Sequence, residues 1–281
     1  MQIITPGPRT KSGNCLLLAG ARLCYPLPIA VEQDKILFRN CRGDTLSGVL
    51  HHPEANSAGA SVILCHGMES NKNSDKLVLM SDALAGRGIL TLRFDFAYAG
   101  ESSGKFEDIT CSGEVDDLQA AYALIQNRQP GKTAIFGSSL GGTVALLFAA
   151  REATVAALVT LAAPLHPENF PRRILTLAQC QQWREQRFTI YNGQRLNVSL
   201  LEDLESIQVS DSVRRIKCPV LILHGDADEI IPVEEAYELH ACLSSAKRLS
   251  ILPGSDHRLS DPMHMQRAVT EALDWLTEYV S

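Results

Sequence analysis

From Ile36 onward, short apolar runs alternate with longer amphipathic stretches, and this alternation restricts the fold more than any other feature of the chain. Ser61-Val62-Ile63-Leu64-Cys65 is apolar throughout instead of at every second residue, the pattern of a strand covered on both faces. Similar strand-like runs follow at Ile89–Phe94, Thr133–Phe136, Val155–Leu161, Pro219–Leu223 and Arg248–Leu252. Between and after them the spacing predicts helices near Asp75–Ala85, Glu114–Gln126, Leu140–Arg151, Glu234–Leu243 and Met263–Tyr279. Strands alternating with helices of this length need right-handed crossovers, so the fold class is α/β: a mostly parallel central sheet with helices on both faces. Ahead of it, Ile36-Leu37-Phe38, the turn Arg42-Gly43-Asp44 and Leu46–Leu50 read as an antiparallel hairpin.

Two stretches depart from the rhythm. Residues 1–34 form an N-terminal extension to a domain spanning 35–281; its apolar run Cys15–Ala21 is cut short by Arg22, too brief for a membrane span. From about 165 to 212 the alternation lapses in favour of polar and aromatic residues, which marks an insertion on the sheet. Within it, Asn192-Gly193 between strand-like runs signals a tight hairpin. Its aromatics Phe170, Trp183, Phe188 and Tyr191 either line a substrate pocket or form the insertion's own small core.

Composition removes several function classes. A formal charge of −6 without a long basic run offers no footprint for nucleic acid or an anionic membrane surface, which leaves a small-molecule partner. The 8 cysteines are scattered without a CxxC pair or a zinc-site spacing, as in a reduced, cytoplasmic protein with structural thiols and no bound metal.

The chemistry centres on Gly137-Ser138-Ser139-Leu140-Gly141, directly after a predicted strand and before a predicted helix. A nucleophile exposed on so sharp a turn requires small residues two positions to either side; Gly137 and Gly141 satisfy this for Ser139, whereas Phe136 fails it for Ser138. A serine hydroxyl needs a base near neutral pH. His257 lies in the loop after the last predicted strand, where an open α/β sheet assembles its site; His264, inside the final helix, is the weaker rival. The base needs a carboxylate to fix its tautomer, and His224-Gly225-Asp226-Ala227-Asp228 supplies two. Asp228 is the preferred acid, with Asp226 bracing the loop, and the reversed assignment remains open. The backbone N–H groups of Leu140 and of Met68, in Cys65-His66-Gly67-Met68, are the candidate oxyanion donors. His66 and Asp95 read as loop braces.

These segments resemble the α/β-hydrolase superfamily, and within it the compact cinnamoyl/feruloyl-esterase-like and serine-aminopeptidase-like branch. His66-Gly67, Arg93-Phe94-Asp95-Phe96 with Gly100-Glu101-Ser102, the Ser139 turn, His224-Gly225 with Asp228, and Gly254 with His257 stand in family order. The resemblance implies Ser139 as nucleophile, Asp228 as acid, His257 as base and Met68 and Leu140 as oxyanion donors. It implies hydrolysis of a small-molecule carboxylic ester through an acyl-serine, with no metal or organic cofactor; amide or thioester hydrolysis and a non-catalytic binding protein are the alternatives. Ala97-Tyr98-Ala99 departs from the glycine- and histidine-rich turn usual there.

Overall fold

The computed structural model describes residues 31–53 and 59–281. The predicted extension therefore falls outside the described residues up to residue 30. The first strand, β1 (Glu32–Arg39), begins inside the stretch assigned to that extension, because its polar first half is recruited by backbone pairing to β2 (Thr45–His52), from Glu32 opposite His52 to Arg39 opposite Thr45.

Strands β3 (Ser61–Cys65), β4 (Leu90–Phe94), β5 (Thr133–Ser138) and β6 (Val155–Leu161) precede the inserted segment. It contributes a separate hairpin of β7 (Phe188–Tyr191) and β8 (Gln194–Asn197), and β9 (Val220–Gly225) and β10 (Lys247–Leu252) follow. Eight strands form one sheet in the order β1-β2-β4-β3-β5-β6-β9-β10, in which β2 runs antiparallel to both neighbours and the other pairs are parallel. Every residue of β3, β4, β5 and β9 is buried, as expected of strands covered on both faces, and the buried Arg93 of β4 is satisfied by His51, the Lys72 carbonyl and Asn73.

Helices α1 (Asp75–Gly86), α2 (Cys111–Arg128) and α3 (Leu140–Ala149) follow β3, β4 and β5. Between β6 and β9 lie α4 (Phe170–Ile174), α5 (Leu177–Gln186), α6 (Val198–Ser206) and α7 (Val209–Ser212); α8 (Glu234–Cys242) and α9 (Pro262–Val280) complete the chain. The sheet divides the hydrophobic core in two. On one face Leu77, Met80 and Leu84 of α1 pack with Ala272, Leu273 and Leu276 of α9; on the other lie Leu118 of α2, Val144 and Leu147 of α3 and Leu239 of α8. Burial of the larger of these side chains, the leucines, Met80 and Val144, contributes about 1.5–3 kcal/mol each before conformational entropy is set against it. Among the described residues no helix is long and apolar enough to cross a membrane.

Tyr98 occupies the departing turn with φ = 94°, a left-handed conformation that a side chain rarely adopts. Its hydroxyl bonds Glu114, and its ring meets Phe106 edge-on at 5.6 Å, so side-chain contacts secure what a glycine would do without strain.

Candidate active site

Ser139 sits between β5 and α3 with φ = 54° and ψ = −128°, a strained backbone at the sharp change from strand to helix. The turn closes only because its neighbours lack side chains. A Cβ on Gly137 would lie 2.3 Å from the Gly141 carbonyl oxygen, and one on Gly141 would lie 2.2 Å from that of His66. Leu140 is the first residue of α3, so its N–H has no acceptor within the helix and remains free near the serine. The loop after β3 packs against the same spot, since a Cβ on Gly67 would come within 3.1 Å of the Ser139 Cβ.

The three side chains singled out from the sequence meet at the C-terminal edge of the sheet. His257 Nε2 is 3.1 Å from Ser139 Oγ, and its Nδ1 is 2.8 Å from Asp228 Oδ2. The Asp228 carboxylate is fully buried. Its Oδ1 accepts the backbone N–H groups of Ile230 (2.9 Å) and Ile231 (2.8 Å). Burial alone would push this carboxyl up, but hydrogen bonds from His224, His257 and the Ile231 backbone outweigh it and hold the group well below the usual carboxylate range. Asp228 is therefore charged, and it requires a proton on His257 Nδ1, which leaves Nε2 facing the serine as an acceptor.

Asp226, the other carboxylate of the turn, points elsewhere: its Oδ1 accepts the Gly254 N–H at 2.6 Å and ties the β9 loop to the β10 loop. His264 is on α9. His66 is buried; its Nε2 accepts the Phe96 N–H, which places the ring proton on Nδ1, donated to the Gly67 carbonyl at 2.7 Å. Burial lowers its pKa to about 4, so it is a neutral strut under the Met68 loop. Asp95 is equally enclosed, accepting Lys72 N–H at 2.7 Å, Lys72 Nζ at 2.5 Å and Glu101 N–H at 2.9 Å.

One contributor escaped sequence reasoning. His224 Nε2 is 2.9 Å from the Ile231 carbonyl and 3.3 Å from Asp228 Oδ2, two acceptors that together require the proton on Nε2. The available signal was its position, four residues before the acid at the end of β9.

An apolar cleft of about 420 Å³, its open mouth included, adjoins Ser139. Met68 and Leu140 flank the serine, Pro164, Pro167 and Phe170 come from the start of the inserted segment, Leu200 and Leu204 from α6, and Ile230 and Ile231 from the turn that anchors Asp228. Of the four aromatics in the segment, Phe170 alone lines the cleft. Trp183 is a core residue, Phe188 lies 4.1 Å beneath the Arg195 guanidinium, and Tyr191 meets the Phe170 ring edge-on at 5.9 Å. Among the described residues no group of three or more His, Cys, Asp or Glu side chains is arranged to hold a metal ion.

Known proteins share this architecture. The family described as "Alpha/beta hydrolase domain" matches residues 58–215, more than half of the chain. A palmitoyl-protein thioesterase ABHD10, mitochondrial, of Bos taurus is 25% identical over 248 residues, covering 82% of this chain and 80% of its own. YfhR of Salmonella typhimurium, an uncharacterized protein, is 29% identical over 244 residues, covering 82% and 76%. Est1E from Butyrivibrio proteoclasticus, solved with ferulic acid bound, superimposes with a TM-score of 0.79 at 25% identity, over 86% of this chain and 98% of that one. With the strand order, the tight strand-to-helix turn and these matches in agreement, the chain is a hydrolase of the α/β-hydrolase superfamily.

Proposed function

We propose that the protein is a serine hydrolase that cleaves a small carboxylic ester through an acyl-Ser139 intermediate. The observation that carries this reading is the unbroken hydrogen-bonded line from Ser139 Oγ through both nitrogens of His257 to the buried, charged Asp228.

In this mechanism Ser139 Oγ attacks the ester carbonyl carbon while its proton passes to His257 Nε2. Asp228 stabilises the resulting imidazolium. The carbonyl oxygen, now an anion, is received by the N–H groups of Leu140 and Met68. Collapse of this intermediate breaks the carbon–oxygen bond, and the leaving alcohol takes the proton from Nε2. A water molecule then gives a proton to Nε2 and attacks the acyl carbon; the acid departs as Oγ regains its proton. Each of these steps uses groups of the chain and water alone, so no cofactor enters the scheme. The inserted segment, about 165–212, serves as a cap that selects the acyl group.

A thioester is the second reading, favoured by the apolar cleft and by the thioesterases among the relatives. A thiolate leaves with less protonation than an alkoxide, so the same residues suffice. Comparing kcat/KM for an oxygen ester and a thioester of one acyl group separates the two. Cytoplasmic placement belongs to the same proposal and rests on the free thiols of Cys41, Cys65, Cys111, Cys180, Cys218 and Cys242.

The test of the proposal is a fluorophosphonate probe, which reacts only with an activated serine. Labelling of Ser139, located by mass spectrometry and lost in Ser139→Ala, is the expected result. A folded wild-type protein that stays unlabelled overturns the hydrolase mechanism in favour of a binding protein on the same fold.

A further inference from the structure

We infer that the cleft beside Ser139 selects an aliphatic acyl chain and discriminates against acyl groups that carry a phenolic hydroxyl. The inference rests on Ser139 as nucleophile and concerns what the wall of the cleft can accept.

Apart from the serine itself, every side chain lining the cleft is apolar. Leu200 and Leu204 project from α6 and are almost wholly buried, Ile231 is buried, and Phe170 and Met68 are half-buried. The titratable groups nearest to hand point away from it or are committed. His257 bridges Ser139 and Asp228, His224 bonds the Ile231 carbonyl, and the Asp228 oxygens accept from His257, Ile230 and Ile231. The segment's tyrosine, Tyr191, packs its ring edge-on against Phe170 and is not among the residues that line the cleft.

A methylene chain placed here exchanges water for hydrocarbon along its whole length. A phenolic ring of similar bulk fits by shape alone, but its hydroxyl loses water and finds no side-chain donor or acceptor. Such a mismatch in an apolar pocket is worth up to about 100-fold in kcat/KM, because the wall cannot compensate the buried hydroxyl.

The experiment uses the whole chain and p-nitrophenyl esters, so that the leaving group is constant and only the acyl part varies. The expected order is octanoate above acetate by at least about tenfold, and cinnamate above ferulate by at least about tenfold, in kcat/KM. Ferulate turned over as well as cinnamate, or acetate as well as octanoate, overturns the inference. Fluorophosphonate labelling of the same preparation tells its failure from that of the mechanism: a labelled enzyme with the wrong preference sinks the selectivity alone, and an unlabelled one sinks both. Phe170→Ala, at a half-buried position on the margin of the core, should lower kcat/KM about tenfold for octanoate and much less for acetate. Equal losses on both esters would remove Phe170 from the acyl wall and contradict the assignment.

Discussion

The β9 loop and the segment between β6 and β9 meet at the cleft, yet they are secured by different forces. In the loop, backbone groups do the holding: Ile230 and Ile231 donate to Asp228, Ala227 donates to the Ser255 carbonyl at 3.1 Å, and Gly254 donates to Asp226. The inserted segment relies more on side chains. Arg184 pairs with Glu205 and Arg187 with Glu202, all partly in solvent, and Asn192 at the hairpin tip reaches Glu69 at 2.5 Å. Its stronger anchors are the buried Trp183 and the α6 leucines, together with Glu235 of α8, which accepts the N–H groups of Leu165 (2.8 Å) and His166 (3.0 Å). The difference teaches where change is tolerated: a reaction needs its atoms fixed to within a fraction of an ångström, whereas selection of an apolar chain needs only a wall of the right character.

Substitutions can break this contrast or sharpen it. The largest effect is expected from Ser139→Ala, which should reduce kcat on the order of 10⁵-fold while the thermal unfolding midpoint stays close to that of the wild type. A midpoint that falls steeply would mean that the strained turn depends on the hydroxyl. Asp228→Asn comes next, with kcat down about 10⁴-fold because the amide favours the wrong tautomer of His257. It should also cost stability, and the pH dependence gives the sign. The folded-state pKa of Asp228 lies below its unfolded value, so its contribution is complete above that unfolded value, about 4, and disappears as pH falls toward the folded one. The gap in Tm between wild type and Asp228→Asn should therefore be widest near neutrality and narrow in acid. A gap that widens on acidification would contradict the charged state assigned to this carboxylate.

The segment should respond more weakly and with the opposite sign. His166 lies between Glu168 at 3.1 Å and Glu238 at 3.0 Å; burial lowers its pKa, but the two glutamates outweigh burial and raise it. A raised folded-state value gives a contribution that is complete below the unfolded pKa, about 6.5, and lost as pH climbs through the folded one. The Tm deficit of His166→Ala, measured across neutral to alkaline pH, should shrink as pH rises. The smallest effect is expected at Arg187, a solvent-exposed C-cap at φ = 65°, where Arg187→Gly relieves a left-handed conformation and loses a surface ion pair of little value. Chemical denaturation should show a change within about 0.5 kcal/mol.

The frame was readable from sequence wherever one physical demand dominated. Parallel strands buried on both faces are apolar along most of their length, and the runs within β3, β5 and β9 announce themselves in that way. The turn at Ser139 is equally explicit, because backbone contacts leave no room at Gly137 and Gly141. The start of β1 was hidden because an edge strand pairs through its backbone and leaves Glu32 to Asp34 free to be polar. Helix α5 gave no clear period, since it buries only Trp183 against the core. The choice between Asp226 and Asp228 turned on two residues of loop path, and no local rule decides which carboxylate meets a ring brought from 29 residues further along. The role of His224 was invisible for a related reason: it acts by sharing an oxygen with a partner that only the folded loop supplies.

Ile230 and Ile231 hold two offices, since their amides grip Asp228 and both residues line the cleft. On the proposed mechanism, an acyl group too broad for the cleft pushes on the very peptide units that set the direction of the imidazole. Fit and reactivity are thereby joined through one short piece of backbone, and a poorly seated substrate loses alignment of the proton relay as well as contact.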